Sequence, residues 1–390
     1  MRVEVAGAEY RAGSAYRFVP VDRLTAEERS AVGNLADDPE IYALLIPLRD
    51  GAQTVKAIDS QTALVYLTLR EPGPLPSLMR AALRDDLSAA VARLVLDGVL
   101  EIRTGADFVS GADAVALLNL DSNPSDPRGR LARLSIQALR YGQHLDIQNV
   151  QTLAGRLYAF NRLVLTPSWG QRLPTRESTA VYLGIGDDRG SVRPPSPGWV
   201  AQGGAMTSSS WLAWHSGAPI SRAGHGPVYK LYVSPQPSAV AECLRICAEI
   251  VRKRGAHALK VGADVHGLLR PDKLVAYFGT FESLGEAAAS LAPRLAGMPA
   301  HGVPFTAEIT PDGMLSWGVD PPRQEHELAW TGESWRVWVA GRLASALVAA
   351  RTASNSGEPW RYALERIALE GIDPSIWVPS QGVFAAGTGA

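Results

Sequence analysis

Two lysines stand in short apolar runs, Lys230 in VYKLYV (228–233) and Lys260 in HALKVG (257–262). Both runs have the length and the aromatic and branched content of strands. Alternate residues of a strand share a face, so Lys230 and Tyr232 oppose Tyr229, Leu231 and Val233, while Lys260 opposes His257, Leu259 and Val261. On its own face Lys260 lies between Ala258 and Gly262, small neighbours that leave room for a ligand. If the two strands are neighbours and both lysines point to one side, two ammonium groups crowd a common site. Crowding and desolvation lower a lysine pKa. They turn the side chain into a general base near neutral pH, where its ordinary value of about 10.4 leaves it inert. The alternative is that each lysine snorkels from an open sheet face into water.

Other candidates surround this pair in the sequence. In LLRPDK (268–273), Arg270 can fork onto a phosphate or carboxylate, or pair with Asp272 to stabilise a turn. His215, His225 and His266 are loop-borne candidates for a general acid, and each also reads as a surface histidine. Tyr232 and Trp214 are candidates to line a substrate, and Arg336, in a helical stretch with Trp335, Trp338 and Arg342, to contact it or merely to solvate the helix. Cys243 and Cys247 fall on one helix face beside Val240, Leu244 and Val251, and read as buried thiols without metal-ligand spacing. P-loop, nucleophile-elbow and H-E-x-x-H signatures are absent, and Gly184, Gly186 and Gly190 have the wrong spacing for a dinucleotide fingerprint.

The elements that must position these residues alternate in type. Strands are expected at 228–233, 257–262, 273–278 and from about 304; helices at 239–253 (with Ser238 as cap), 283–294, 334–351 and 358–370. Upstream, 130–161 is helical, and 184–227 is a Gly/Pro/Ser-rich stretch whose tryptophans suggest an ordered covering loop. Nearer the start, IYALLIPL (41–48) reads as a buried strand, followed by a second apolar run at 62–69. A helix repeating Leu87, Val91, Leu94 and Val95 then stops at Gly98 before a hairpin around Thr104-Gly105. The fold class expected is α+β: a winged-helix-like module (1–120), a helical connector with the covering loop (121–227), and a mixed α/β module (228–390).

Composition sets the outer bounds. Of 390 residues 46% are apolar and 20% charged, and 38 basic residues meet 39 acidic ones, so neither nucleic acid nor a membrane surface is an expected partner. The longest apolar runs are far short of a membrane span, and the first thirty residues lack a signal-peptide core, which points to the cytoplasm. All ten tryptophans and all seven histidines lie after position 140, which directs the search for a site to the second half.

From Val228 onward the chain resembles the HopA-type effector family. The likeness is carried by VYKLYVSPQP, HALKVGADVHGLLRPDKLVAYF, VPFTAEITPDGMLSWGVDPP and EGIDPSIWVP, and covers roughly the last 165 residues. Asp86–Ser110 also resembles PqqD-like modules that hold leader peptides by strand addition. These resemblances imply a phosphoserine/phosphothreonine lyase of modified-peptide biosynthesis, including lanthipeptide pathways, which needs no metal or organic cofactor. Its partners would be a precursor peptide and a separate kinase, with homo- or hetero-oligomers open. They further imply Lys260 as base, Lys230 and Arg270 as phosphate or enolate contacts, and His225 or His215 as acid. Where a Ser-Phe-Gly stretch is expected near the helical end, this chain has Glu333-Ser-Trp-Arg336, which weakens the carry-over to Arg336. A non-catalytic peptide adaptor and a cyclase acting on dehydroamino acids are the competing expectations.

Overall fold

The computed structural model describes residues 7–49, 55–77, 79–80, 87–118, 126–187, 190–201, 210–217, 227–321, 334–351 and 358–380. Within them the chain is α+β, with four antiparallel sheets.

The N-terminal part holds strands β1 (Glu9–Ala12), β2 (Tyr16–Pro20), β3 (Ala43–Pro47), β4 (Lys56–Ile58), β5 (Gly73–Pro74), β6 (Leu100–Thr104) and β7 (Asp107–Val109). β2-β3-β4 form a meander, and β5-β1-β6-β7 a second sheet. Helix α1 (Ala26–Val32) starts in a Thr25/Glu28 capping box. The apolar run at 62–69 is helix α2 (Ser60–Thr68), started by the Asp59 side chain accepting from the Thr62 amide. Helix α3 (Leu87–Leu96) buries Val91, Ala92, Val95 and Leu96, and Gly98 at φ 71 ends its turn as expected. The hairpin β6–β7 follows, with Thr104 opposite Asp107.

Helices α4 (Arg130–His144), α5 (Val150–Ala159), α6 (Pro167–Arg172) and α7 (Arg176–Tyr182) lead into the central sheet. Its strands are β8 (Val200–Ala201), β9 (Trp211–His215), β10 (Tyr229–Val233), β11 (Ala258–Gly262), β12 (Leu274–Phe278), β13 (Ala307–Glu308) and β14 (Leu315–Val319), ordered β13-β14-β10-β12-β11-β9-β8. The stretch expected to be a covering loop thus supplies two strands, and β9 pairs with β11 across the expected boundary at 228. Helices α8 (Val240–Lys253), α9 (Val265–Leu268), α10 (Phe281–Leu295), α11 (Trp335–Ala350) and α12 (Pro359–Leu369) and the ribbon β15 (Ile372–Asp373)–β16 (Val378–Pro379) complete the chain.

The two lysine strands are not neighbours, which corrects the expectation. β10 and β11 each pair antiparallel with β12, which lies between them. The reason is connection length. The short α9 turn joins β11 and β12 as antiparallel neighbours, and the long helix α8 between β10 and β11 is enough to carry the chain past the position that β12 fills. In the inner position its LVAYF sequence is covered on both faces.

One sheet face carries Leu231, Val233, Leu259, Val261, Leu274, Ala276 and Phe278 and packs on α8 and α10. The other meets Trp335, Val339 and Phe305 in a core that continues into Tyr10, Val91 and Leu100 of the N-terminal part. Two local expectations fail for visible reasons. Ser238 lies inside a 3-10 turn (Pro237–Ala239) and does not cap α8. The strand expected from 304 shrinks to Ala307–Glu308 because buried Phe305 takes φ 62, its amide donating to Ser135 Oγ (2.7 Å) and its carbonyl accepting from Trp335 Nε1 (2.8 Å).

Gly318 is where α11 touches the sheet. A Cβ there would lie 2.4 Å from Trp335 Cδ1. Gly318→Ala is therefore expected to destabilise the fold by about 1–3 kcal/mol, read as a lower Tm in thermal unfolding. An unchanged Tm would show that α11 does not depend on this close approach.

Candidate functional site

The site lies on the sheet face that meets α5 and α11. Lys230 pairs in register with Tyr277 of β12, and Lys260 with Val275. The lysines thus share a face, as strand alternation requires, with Tyr277 between them. Lys230 Nζ lies 5.4 Å and Lys260 Nζ 5.2 Å from the centre of the Tyr277 ring. Trp211 of β9, opposite Gly262, brings its ring 4.3 Å from Lys260 Nζ and 4.6 Å from the Arg270 guanidinium. The room expected beside Gly262 is filled: a Cβ there would lie 2.4 Å from the Gly267 carbonyl carbon. This close backbone approach sets α9 against β11 and delivers Arg270 next to Lys260.

Asp272 organises the cations. Arg270 donates from Nε (2.9 Å) and Nη2 (3.1 Å) to its two oxygens, and Tyr158, at the end of α5, donates its hydroxyl (3.0 Å). Arg270 Nη2 also donates to the Tyr158 hydroxyl (2.6 Å). Arg336, in the first turn of α11, brings Nη1 within 2.9 Å of Asp272 and donates from Nη2 to the Tyr158 carbonyl (2.8 Å). Burial alone would raise the Asp272 carboxyl, but Arg336, Arg270 and the Tyr158 hydroxyl outweigh it and hold the group far below the ordinary carboxylate range. A second carboxylate, Asp320, pairs with Lys230 Nζ at 2.5 Å and accepts the Trp335 amide (2.8 Å) at the start of α11.

Four cationic side chains, Lys230, Lys260, Arg270 and Arg336, therefore meet two carboxylates. Lys260 is the one left over: among the described residues it has ring contacts but no carboxylate within ion-pair distance. Burial first, and the positive charge of Lys230 second, push it down to about 8. Burial also lowers Lys230, against the pull of Asp320. Arg336 is 1% exposed; its Nη1 meets Asp272 as an ion pair without hydrogen-bond geometry, and its Nε has no hydrogen-bond partner among the described residues. The arrangement offers an amine that gives up its proton near pH 8 beside surplus positive charge, a setting suited to an anionic substrate that must lose a proton.

Lys230, Lys260, Arg270 and Arg336 gather here, and buried Tyr232 shares the lysine face, opposite Val275. Trp214 does not join them: it pairs with Leu259 on the opposite face and is core at 1% exposure, so Trp211 is the tryptophan at the site. The expectation missed this because an odd step along a strand changes face. His215 is on the site face, two residues along β9 from Ala213, which pairs with Lys260. His225 lies outside the described residues, and His266 is exposed on α9. Arg342 stays by Trp338, 5.4 Å from its ring, further along α11.

Tyr158, Tyr277, Trp211 and Asp320 escaped the sequence reading. One signal could have strengthened it: the chain has 33 arginines and only five lysines, and three of the five, Lys230, Lys260 and Lys273, are buried or half-buried on this sheet. Arginine supplies permanent charge, whereas a lysine can give up its proton when buried. Lys273 has a structural post, donating to the Pro235 carbonyl and to His301 Nδ1, both at 2.8 Å, with no exposure.

No family model matches the chain, and no curated protein matches its sequence. Among solved structures, the effector protein from Pseudomonas syringae pv. syringae strain 61 superposes with a TM-score of 0.38 at 13% identity, covering 64% of this chain and 99% of its own. The effector protein from Pseudomonas syringae pv. tomato strain DC3000 gives 0.38, 13%, 64% and 98%. A structure described as the basis for the catalytic mechanism of phosphothreonine lyase gives 0.27, 13%, 47% and 88%. At this identity and these scores no residue-by-residue correspondence follows.

With only five lysines, isotope-labelled methyl groups on their amines give a readable NMR titration. Lys260 is expected to titrate near 8. Lys230→Met removes a neighbouring positive charge and frees Asp320, so the Lys260 midpoint should move up. A Lys260 midpoint above 10 in the wild type contradicts the crowded-site description.

Proposed function

We propose that this protein is a lyase that eliminates phosphate from phosphoserine or phosphothreonine in a precursor peptide, leaving a dehydroamino acid. The observation that carries this reading is Lys260: a half-buried amine with no carboxylate partner among the described residues, bracketed by cations. The resemblance from Val228 onward agrees with it but is a weaker warrant than the side chains.

In the step, neutral Lys260 Nζ takes the Cα proton and becomes an ammonium. The Cα–H electron pair forms the Cα=Cβ bond, and the Cβ–O pair leaves with the phosphate. Arg270, with its Nε and Nη2 fork on Asp272, supplies permanent positive charge beside the phosphate, buried Arg336 adds charge behind it, and Lys230 adds a point charge for the phosphate or the developing enolate. Asp272 and Tyr158 act through the arginines, holding both guanidiniums toward one place. The departing phosphate oxygen also needs a proton; His215 on the same face and His225 remain candidates for that role.

The N-terminal part supports capture of the peptide. β4 is the last strand of its meander, and Tyr42, Leu48, Val55, Leu64 and Leu67 around β3, β4 and α2 are 38–60% exposed. A strand edge unpaired among the described residues, beside exposed apolar side chains, suits strand addition by an extended segment. The same observation favours a second reading, a peptide-binding adaptor for a separate enzyme.

Incubation with a phosphothreonine peptide separates the two. The lyase reading expects free phosphate and a peptide lighter by one phosphoric acid, at a rate that rises with pH through about 8 as Lys260 loses its proton. Lys260→Ala is expected to slow this by about 100-fold or more, the usual contribution of a general base. Peptide that binds but keeps its mass would sink the lyase and leave the adaptor. Leu64→Asp with Leu67→Asp is expected to weaken binding of a full-length precursor at least tenfold while sparing a short phosphopeptide; equal effects on both would place peptide capture elsewhere.

A further inference from the structure

Resting on that elimination reading, we infer that Tyr277 is the acid of the reaction, its hydroxyl giving the proton that the departing phosphate oxygen takes. Neither sequence pattern nor resemblance singled it out. Its place in the sheet does. β12 lies between the two lysine strands, and Tyr277 stands opposite Lys230 on one side and Ala258 on the other. Both ammonium groups flank its ring, at 5.4 and 5.2 Å. Whatever Lys260 deprotonates and Lys230 attracts therefore lies against this phenol.

The hydroxyl is at liberty for the task. Tyr158, the other tyrosine of the site with the ring near Arg270, spends its hydroxyl on Asp272 and Arg270. Among the described residues the Tyr277 hydroxyl has no hydrogen-bond partner, and its side chain is half-buried rather than sealed. Burial raises its pKa, with the carboxylates Asp320 and Asp272 adding to the rise, so it keeps its proton where Lys260 has lost one. A base without its proton and an acid with one then coexist at the same pH. His257, whose ring centre lies 6.2 Å from that of Tyr277, is lowered by burial, which leaves it neutral.

The proton count closes. Lys260 Nζ gains the Cα proton; the Tyr277 O–H bond breaks as the leaving oxygen takes its proton; the phenolate is left between two ammonium groups. Transfer of one proton from the Lys260 ammonium to that phenolate, directly or through water, restores both groups. The products are the dehydroamino acid and hydrogen phosphate, with the protein unchanged.

Tyr277→Phe removes the hydroxyl and keeps the ring that both lysines contact. With a phosphothreonine peptide its elimination rate is expected to fall about 100-fold or more, with peptide binding within about twofold of the wild type. The same peptide carrying 3-chloroalanine loses chloride, which departs without a proton, so there the variant should stay within about threefold of the wild type. Equal losses on both peptides, or no loss on either, would overturn the assignment while leaving the lyase standing. Should the wild type act on the phosphopeptide but not on the chloride, 3,5-difluorotyrosine at 277 decides: recovery to within tenfold supports the acid, and no recovery over Phe removes it. A wild type that releases neither group fails as a lyase, and this inference falls with it.

Discussion

The site depends on one buried carboxylate. Asp272 is 4% exposed and receives Arg270, Arg336 and the Tyr158 hydroxyl, which come from three separate parts of the chain. A carboxylate taken out of water must be matched, and leaving one member of such a set unpaired costs about 3–5 kcal/mol. The turn that carries Asp272 is itself tied down. Ser234 Oγ donates to the Pro271 carbonyl (2.6 Å), and Lys273 donates to Pro235 and His301 on the other side. Helices α5 and α11 cannot take other positions over the sheet without abandoning this charge.

That constraint reaches the N-terminal part. α11 packs with α12, and α12 is bonded to α3 and its exit turn: Tyr362 donates to the Leu96 carbonyl (3.3 Å), Arg366 pairs with Asp97 (2.7 Å), and Arg93 reaches back to the Leu369 carbonyl (2.7 Å). The apolar core runs without a break through these contacts. On the proposed reading, a peptide held by the meander and a phosphate held beside Asp272's arginines are gripped by one body, and the span between the two grips selects which residues of the peptide reach Lys260.

The choice between lysine and arginine follows the same logic. In a chain that uses arginine almost everywhere, positions 230 and 260 keep an amine. A guanidinium stays charged at any accessible pH and suits the phosphate oxygens; an amine can be stripped of its proton by burial and a like charge nearby. The permanent charges of Arg270 and Arg336 are balanced by Asp272, Lys230 by Asp320, and Lys260 is left without a carboxylate among the described residues.

Much of this was legible in the residues. Alternation placed Lys230 and Lys260 on faces that could coincide, helical spacing located α8, α10, α11 and α12, and a Gly stop before a hairpin described 87–109. These are local properties, set by backbone periods of 2 and 3.6 residues. Strand order was not legible, because β12's position between β10 and β11 depends on which connection is short and which face needs cover, and with it went Tyr277's place between the lysines. Trp211 and Trp214 are equivalent in composition and were separable only by face, once β9 was known to be a strand. Arg336, Tyr158 and Asp272 are far apart in sequence and meet only because a buried charge has to be neutralised. The sequence by itself determined which residues could do the chemistry; the tertiary structure alone decided which of them share a site, since contact between distant segments is fixed by burial and charge balance rather than by local pattern.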